Sequence, residues 1–524
     1  MAWGRPAAGN PCPTRSVGFS SFVVGLCVVV SLLLGKSSAY AAPTRVPTPS
    51  PTGAYANERA ALSLLYLSTG GKTEWFTRTN WMDDSKHVDE WHGITCGDEE
   101  RDDDGIYYYG YYGSSAPGGS VRSVRLIENG LRGTLPTELG ELVNVEDLHL
   151  GLNAISSSIP TELSKLVNVE GFYLYDNSLT SSIPTELGEL VNVEGFGLNE
   201  NSLTSSLPTQ LGGLSAVQDF LANSNQATGT IPTEIGRLTS LRAVDASSNS
   251  IAGAIPTEIG SIGSSLETAV LDANLLSSSI PRSICNLSSL VIASLSANQL
   301  SGEVPVCPSG FQQLEVFNVA NNGMTGALPS VRQWPAINYL LLHRNNFNGT
   351  IGKLEFNRSQ HGQVTILYED DEFDFSSPIN DFGSNLVGLT LHDNSLTGSI
   401  PEDFTLPRSL ETLTFANNFL TGRIPRSVLD LQRKTNASSL TIYATNNRLS
   451  CDLPNSWNFS SSKQSLVLIG NAFSKPVPKW VNRIERDSSF LSTAVRIAWE
   501  QGMPEVPSWL QLLLQAVGVA LVSA

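Results

Sequence analysis

Leu391-His392-Asp393-Asn394-Ser395-Leu396-Thr397-Gly398-Ser399-Ile400-Pro401 is the stretch that decides the fold of this chain. Aliphatic residues alternate ahead of an asparagine, and an Ile-Pro step follows. The same order recurs from Val121 onward: an apolar triplet spaced L-x-x-L-x-L, then x-x-N-x-L-x-G-x-I-P, then L-G-x-L. Asn129, Asn153, Asn177, Asn201, Asn225, Asn249, Asn274, Asn298, Asn322, Asn345, Asn394, Asn418, Asn447 and Asn471 mark it, mostly 24 residues apart. From Asn345 to Asn394 the step is 49, about twice the period, and Ile366, Tyr368, Asp371 and Phe373 are expected to fill a degenerate coil there. The count is therefore about fifteen coils.

The period has a physical meaning. Parallel strands cannot be joined by a tight turn and need a crossover of a dozen or more residues. One coil cannot bury its own leucines, whereas stacked coils share a continuous core. The recurring asparagine, at the turn out of the strand, carries donors and an acceptor enough to pair backbone groups of its own and adjoining coils. Proline in the Ile-Pro step fixes φ at the next bend. These features predict an α/β solenoid: a right-handed leucine-rich-repeat superhelix of about fifteen 24-residue coils, with a parallel concave sheet and a helical N-terminal cap. At ~4.8 Å per strand it would run roughly 70 Å.

Coils such as Leu148-His-Leu-Gly-Leu-Asn153 and Leu391 to Pro401 resemble the plant-type extracellular leucine-rich-repeat family, over about residues 121–478. That family includes receptor-kinase ectodomains, receptor-like proteins and inhibitors of cell-wall-degrading polygalacturonases. The resemblance implies a fold more firmly than a ligand. Glu58-Arg-Ala-Ala-Leu-Ser-Leu-Leu-Tyr66, Trp75, Trp81 and Trp91-His-Gly-Ile-Thr-Cys96 resemble the family's N-terminal cap. Its usual cysteine two residues before the last tryptophan is here Asp89, so the resemblance leaves Cys96 without its expected partner.

Around the repeats the chain divides into 1–41, a signal peptide or retained N-terminal anchor; 42–55, a Pro-rich linker; 56–120, the cap; 121–478, the solenoid; and 479–524, a C-terminal cap with an apolar tail. The cap carries an acidic and Tyr-rich insertion, Gly97 to Gly113, which reads as a solvated loop or as a recognition loop. The final run Trp509–Ala524 reads as a lipid-anchor signal, a membrane segment or a packed helix. Acceptor triplets for glycosylation begin at Asn286, Asn348, Asn357, Asn436 and Asn458, in keeping with a secreted protein or one on the extracellular face of the plasma membrane. Cys285 and Cys307 stand on the convex side of successive coils, either as a disulfide or as two thiols.

Charged residues make up 15% of the chain and the formal net charge is -17. A nucleic-acid partner is disfavoured, because counterion release needs clustered Lys and Arg. Along each strand the x positions of x-L-x-L-x-x should face the concave side. They gather into two groups: His149, Tyr173, Tyr175, Asp176, Asn199 and Glu200, then His343, Arg344, Glu369, Asp370, His392 and Asp393. Between them Asp245, Ser247, Asp272, Ser294, Ser296 and Asn318 read as a bland face. Aromatic and charged residues grouped on a rigid sheet suit binding. An open sheet without an enclosing pocket does not suit catalysis, and no phosphate loop, nucleophile elbow or kinase signature occurs. The expectation is a non-catalytic extracellular protein without metal or cofactor. It would bind a protein, peptide or glycan on its concave face, receptor-like without its own kinase and working with a membrane co-receptor. The alternative is a secreted inhibitor of wall-degrading enzymes or a wall-associated structural protein.

Overall fold

The computed structural model describes residues 54–97, 119–329, 334–351, 388–401, 412–425, 440–451, 464–467 and 471–473. Each coil contributes one short strand to a fifteen-stranded sheet. The first strand, Ile94–Cys96, belongs to the cap and pairs antiparallel with Val121–Arg125. From Val121–Arg125 onward every pairing in this sheet is parallel and in register, so that Leu148 faces Phe172 and Phe172 faces Phe196. Register is fixed because the aliphatic side of each strand is buried and a one-residue slip would expose it. Phe172, Phe196 and Phe220 stack at 5.5 Å between successive rings, and the core runs unbroken through Leu148, Leu198, Val244, Leu295 and Leu391.

The asparagines tie the coils together. Asn153 Nδ2 donates to Leu150 O and Gly151 O of its own coil and to Leu126 O of the coil before, at 2.8–3.0 Å. Its Oδ1 accepts from Asn129 N and Leu131 N, both at 3.0 Å. Asn201, Asn298 and Asn418 repeat the three donations, and the Oδ1 of each accepts one backbone N–H, from Leu179, Leu276 and Leu396. Just before the asparagine, residues such as Leu152, Asp176, Glu200, Arg344 and Asp393 take φ between 48° and 57°. Left-handed backbone costs a non-glycine residue about 1 kcal/mol or more, and persists where surrounding bonds over-determine it. Here the amide network does so.

On the return path the coils are 3₁₀-helical. Thr137–Glu141, Thr161–Lys165, Thr185–Glu189 and their successors each begin directly after the proline of the Ile-Pro step. A 3₁₀ turn rises ~2.0 Å per residue against ~1.5 Å in an α-helix, so it covers the return path in fewer residues. Glycine in L-G-x-L is a packing requirement, since a Cβ on Gly140 or Gly188 would overlap the carbonyl oxygen of Glu162 or Gln210 in the next coil.

One expectation is corrected. Tyr339–Leu341 pairs directly with Gly388–Thr390, Leu340 facing Leu389, and Arg344 N donates to His392 O. No coil stands between those strands, because the ladder bonds that a degenerate coil would need are already made between them. Ile366, Tyr368, Asp371 and Phe373 lie outside the described residues, as do the leader, the linker, most of the Tyr-rich insertion and the tail.

The cap closes the open end of the core. Helix Ala54–Ser68 buries Ala61, Leu62 and Leu65. Trp75, Trp81 and Trp91 with Tyr66 form a cluster with centroids 4.7–5.8 Å apart. Cys96 is a free thiol, fully buried. Asp89, at the place of the missing cysteine, pairs with His87 Nδ1 at 2.6 Å.

Candidate ligand-binding face

His149 and Tyr173 are cross-strand partners. Their rings are 4.9 Å apart, and the Tyr175 hydroxyl lies 3.0 Å from His149 Nε2. Neither tyrosine stands away from the sheet. Tyr175 lies over Gly151, where an added Cβ would come within 2.8 Å of the ring. Tyr173 lies over Gly195 and Gly197, and a Cβ on Gly197 would sit 3.0 Å from its Cδ1. A Cβ on Gly171 would meet Asp147 Oδ1 at 2.6 Å. Glycine weakens a strand and often marks close approach of another group; here it provides the floor for two flat aromatic rings. Arg125 Nε holds Asp147 Oδ2 at 2.6 Å beside them. Burial first, then the Arg125 charge, lowers the His149 pKa to about 4.

Asp176 and Glu200 follow at the strand exits of two successive coils, joined by Asn177 N donating to Glu200 O. Burial raises the Asp176 carboxyl above its ordinary range, and burial followed by the Asp176 charge raises Glu200 to about 7. Asn199 departs from expectation. It follows Tyr175 and precedes Asn223 in the ladder, and its short amide is covered, 0% exposed. Among the described residues neither its Oδ1 nor its Nδ2 has a hydrogen-bond partner.

In the second group the imidazoles of His343 and His392 stack at 4.5 Å. Their Nδ1 atoms lie 3.0 and 2.9 Å from the hydroxyls of Thr390 and Thr414. Arg344 Nε is 3.7 Å from Asp393 Oδ2, and Asn417 Nδ2 donates to Asp393 Oδ1. Burial, then His392, then Arg344 lowers the His343 pKa to about 3; burial, then Arg344, lowers His392 to about 4. Glu369 and Asp370 lie outside the described residues.

The stretch between the groups is less bland than its composition suggests. Asp272 Oδ1 accepts from Ser294 Oγ and Ser296 N, Asn318 Nδ2 donates to Ser294 Oγ, and Asp245 Oδ1 accepts from Ser247 N and Oγ. Burial raises the Asp245 carboxyl to about 6 despite those bonds. The sequence reading missed Arg125, Asp147, Thr390, Thr414 and the glycine floor; the Gly195-Phe-Gly197 spacing was the available signal for the last.

Elsewhere, Cys285 and Cys307 form a disulfide with Cα atoms 5.3 Å apart. Asn286 and Asn348 are exposed, while Asn357, Asn436 and Asn458 lie outside the described residues. Among the described residues no group of three His, Cys, Asp or Glu side chains is arranged to hold a metal ion. No helix among them is long and apolar enough to cross a membrane.

No family model matches the chain. Over 153 residues it is 33% identical to Receptor-like protein 35 of Arabidopsis thaliana, covering 29% of this chain and 15% of that protein. It is similar in structure to PEPR1 in the PEPR1–AtPEP1 crystal structure, with a TM-score of 0.61 and 24% identity over 80% of this chain and 56% of that one. A plant peptide hormone receptor, RGFR1 in complex with RGF2, gives a TM-score of 0.53 and 25% identity over 68% and 60%. The chain thus spans about three-fifths or less of each of these relatives. The asparagine ladder and the in-register parallel sheet make the chain a leucine-rich-repeat solenoid, similar in sequence to a plant receptor-like protein and in fold to the PEPR1 and RGFR1 structures.

Proposed function

We propose that this chain is a receptor-like recognition protein without catalytic activity, which takes an extended peptide along its concave sheet. The observation that carries the reading is the pair of polar and aromatic clusters, one around Tyr173 and one around His343, on a single rigid sheet. Seven inter-strand steps separate the strands bearing them, roughly 34 Å at ~4.8 Å per step. An extended chain of about ten residues covers that distance at ~3.3 Å per residue. Rigid aromatic and charged anchors at both ends of a polar track are what a linear ligand needs. The likeness to the plant peptide hormone receptor RGFR1, solved with RGF2, supports the same reading, and PEPR1, solved with AtPEP1, shares the fold. A membrane co-receptor is the partner through which such binding would be relayed.

The test is a decapeptide array probed with the purified chain, with Tyr173→Ala plus Tyr175→Ala, and with His343→Ala plus Arg344→Ala. Each double variant should lose about tenfold or more in retention, the effect of one hot-spot anchor. Parent-like retention by both variants refutes the reading.

A further inference from the structure

Asp176 and Glu200 are two carboxylates placed side by side at the edge of an aromatic floor, and among the described residues no cation pairs with either. Arg125, on the far side of His149, is held by Asp147. Adjoining them is Asn199, buried on the same face with its donor and its acceptor both unmet. Unpaired buried amides and adjacent like charges are each costly; a cationic side chain relieves the second, and the peptide main chain that carries it can meet the first. We propose that Tyr173, Tyr175, Asp176, Asn199 and Glu200 form a subsite for an arginine side chain of the peptide ligand.

The chemistry favours a guanidinium over a compact ammonium. It is planar, it stacks on aromatic faces, and its five donors fan out in a fixed fork. Tyr173 and Tyr175 lie flat on glycine, so they offer ring faces where upright side chains would offer edges. Two carboxylates accept the fork, and the Asp176 repulsion that adds to burial in raising the Glu200 carboxyl is cancelled. Asn199 is covered in the free chain; where the bound peptide displaces what covers it, Nδ2 donates to a peptide carbonyl and Oδ1 accepts from an N–H. The net charge of -17 draws cationic peptides toward the chain from every side, so the experiment must separate this subsite from general attraction.

The inference rests on the peptide-binding reading. Two decapeptide libraries serve as probes, identical but for one fixed position holding arginine in one and its uncharged analogue citrulline in the other. Parent protein should retain the arginine library about tenfold better, the scale of a desolvated cation–π contact with its ion pair. Asp176→Asn plus Glu200→Gln, and separately Tyr173→Leu, should abolish that preference. Glu138→Gln plus Glu186→Gln removes the same charge from exposed 3₁₀ turns and should keep it. Equal retention of both libraries by the parent, still lost on His343→Ala plus Arg344→Ala, overturns the subsite and leaves the concave-face reading standing. Preference that persists in Asp176→Asn plus Glu200→Gln, or that the control pair also abolishes, overturns it as well. Retention that no concave-face variant changes removes the function reading and the subsite with it.

Discussion

His343 stacks on His392 with 13° between the ring planes, although the two are 49 positions apart in the chain. Both pKa values are depressed, to about 3 and about 4, from 6.5. The folded state therefore binds fewer protons than the unfolded chain between those values and 6.5. Stability from the neutral stack is present above pH 6.5 and lost as pH falls toward 3. His343→Gln should flatten the pH dependence of Tm between pH 6.5 and 4; an unchanged slope would show that the stack does not titrate as described.

Removing one ladder amide should be expensive. Asn201 donates to Leu174 O, Leu198 O and Asn199 O and accepts from Leu179 N. In Asn201→Ala those groups lose their partner, and about 2–4 kcal/mol of stability should go with them. Denaturant unfolding checks this, and a loss under 0.5 kcal/mol would mean that water replaces the amide.

The Cys285–Cys307 bridge closes a loop of separation 22. Constraining the unfolded chain over such a length is worth about 3 kcal/mol. Cys285→Ser plus Cys307→Ser should lower the unfolding midpoint accordingly, and intact-mass analysis after alkylation without reductant should find neither cysteine labelled in the parent.

Cys96 is raised to about 12 from 9.0, by burial first and then by the charges of Asp89 and Glu58. The native thiol should resist a disulfide reagent at pH 8 and react at once in denaturant. Because the folded pKa is the higher one, its contribution to stability falls as pH rises from 9 toward 12.

Ala246 stands where other coils have leucine, as at Leu198 and Leu271. It lines an apolar cavity of about 40 Å³ with Phe220, Leu241, Val244 and Ile259. Ala246→Leu should raise stability by up to about 1 kcal/mol, the cost of a void of that size. A lowered Tm would mean that the wall cannot accept the branch.

Much of this molecule was legible in the chain itself. The L-x-x-L-x-L spacing assigns each aliphatic residue to the core, because period-two alternation fixes which side of a strand it takes. The asparagine at each strand exit announced its own hydrogen bonds, since an amide at that corner meets the same backbone groups in every coil. His149, Tyr173, His343 and His392 could be placed on one face by the same arithmetic, and Cys285 could be set near Cys307.

What periodicity could not determine was anything depending on contact between coils. A doubled interval between Asn345 and Asn394 looks the same on paper whether it holds another coil or interrupts two adjacent ones; the ladder from Tyr339–Leu341 to Gly388–Thr390 decides for the latter. Tyr173 reads as a projecting side chain until the absence of a Cβ at Gly195 and Gly197 lets it lie down. Asn199 reads as exposed until its neighbours cover it. A repeat specifies the position of every residue within its own coil, while the orientation and burial of a side chain are set by the residues at the same position one coil away.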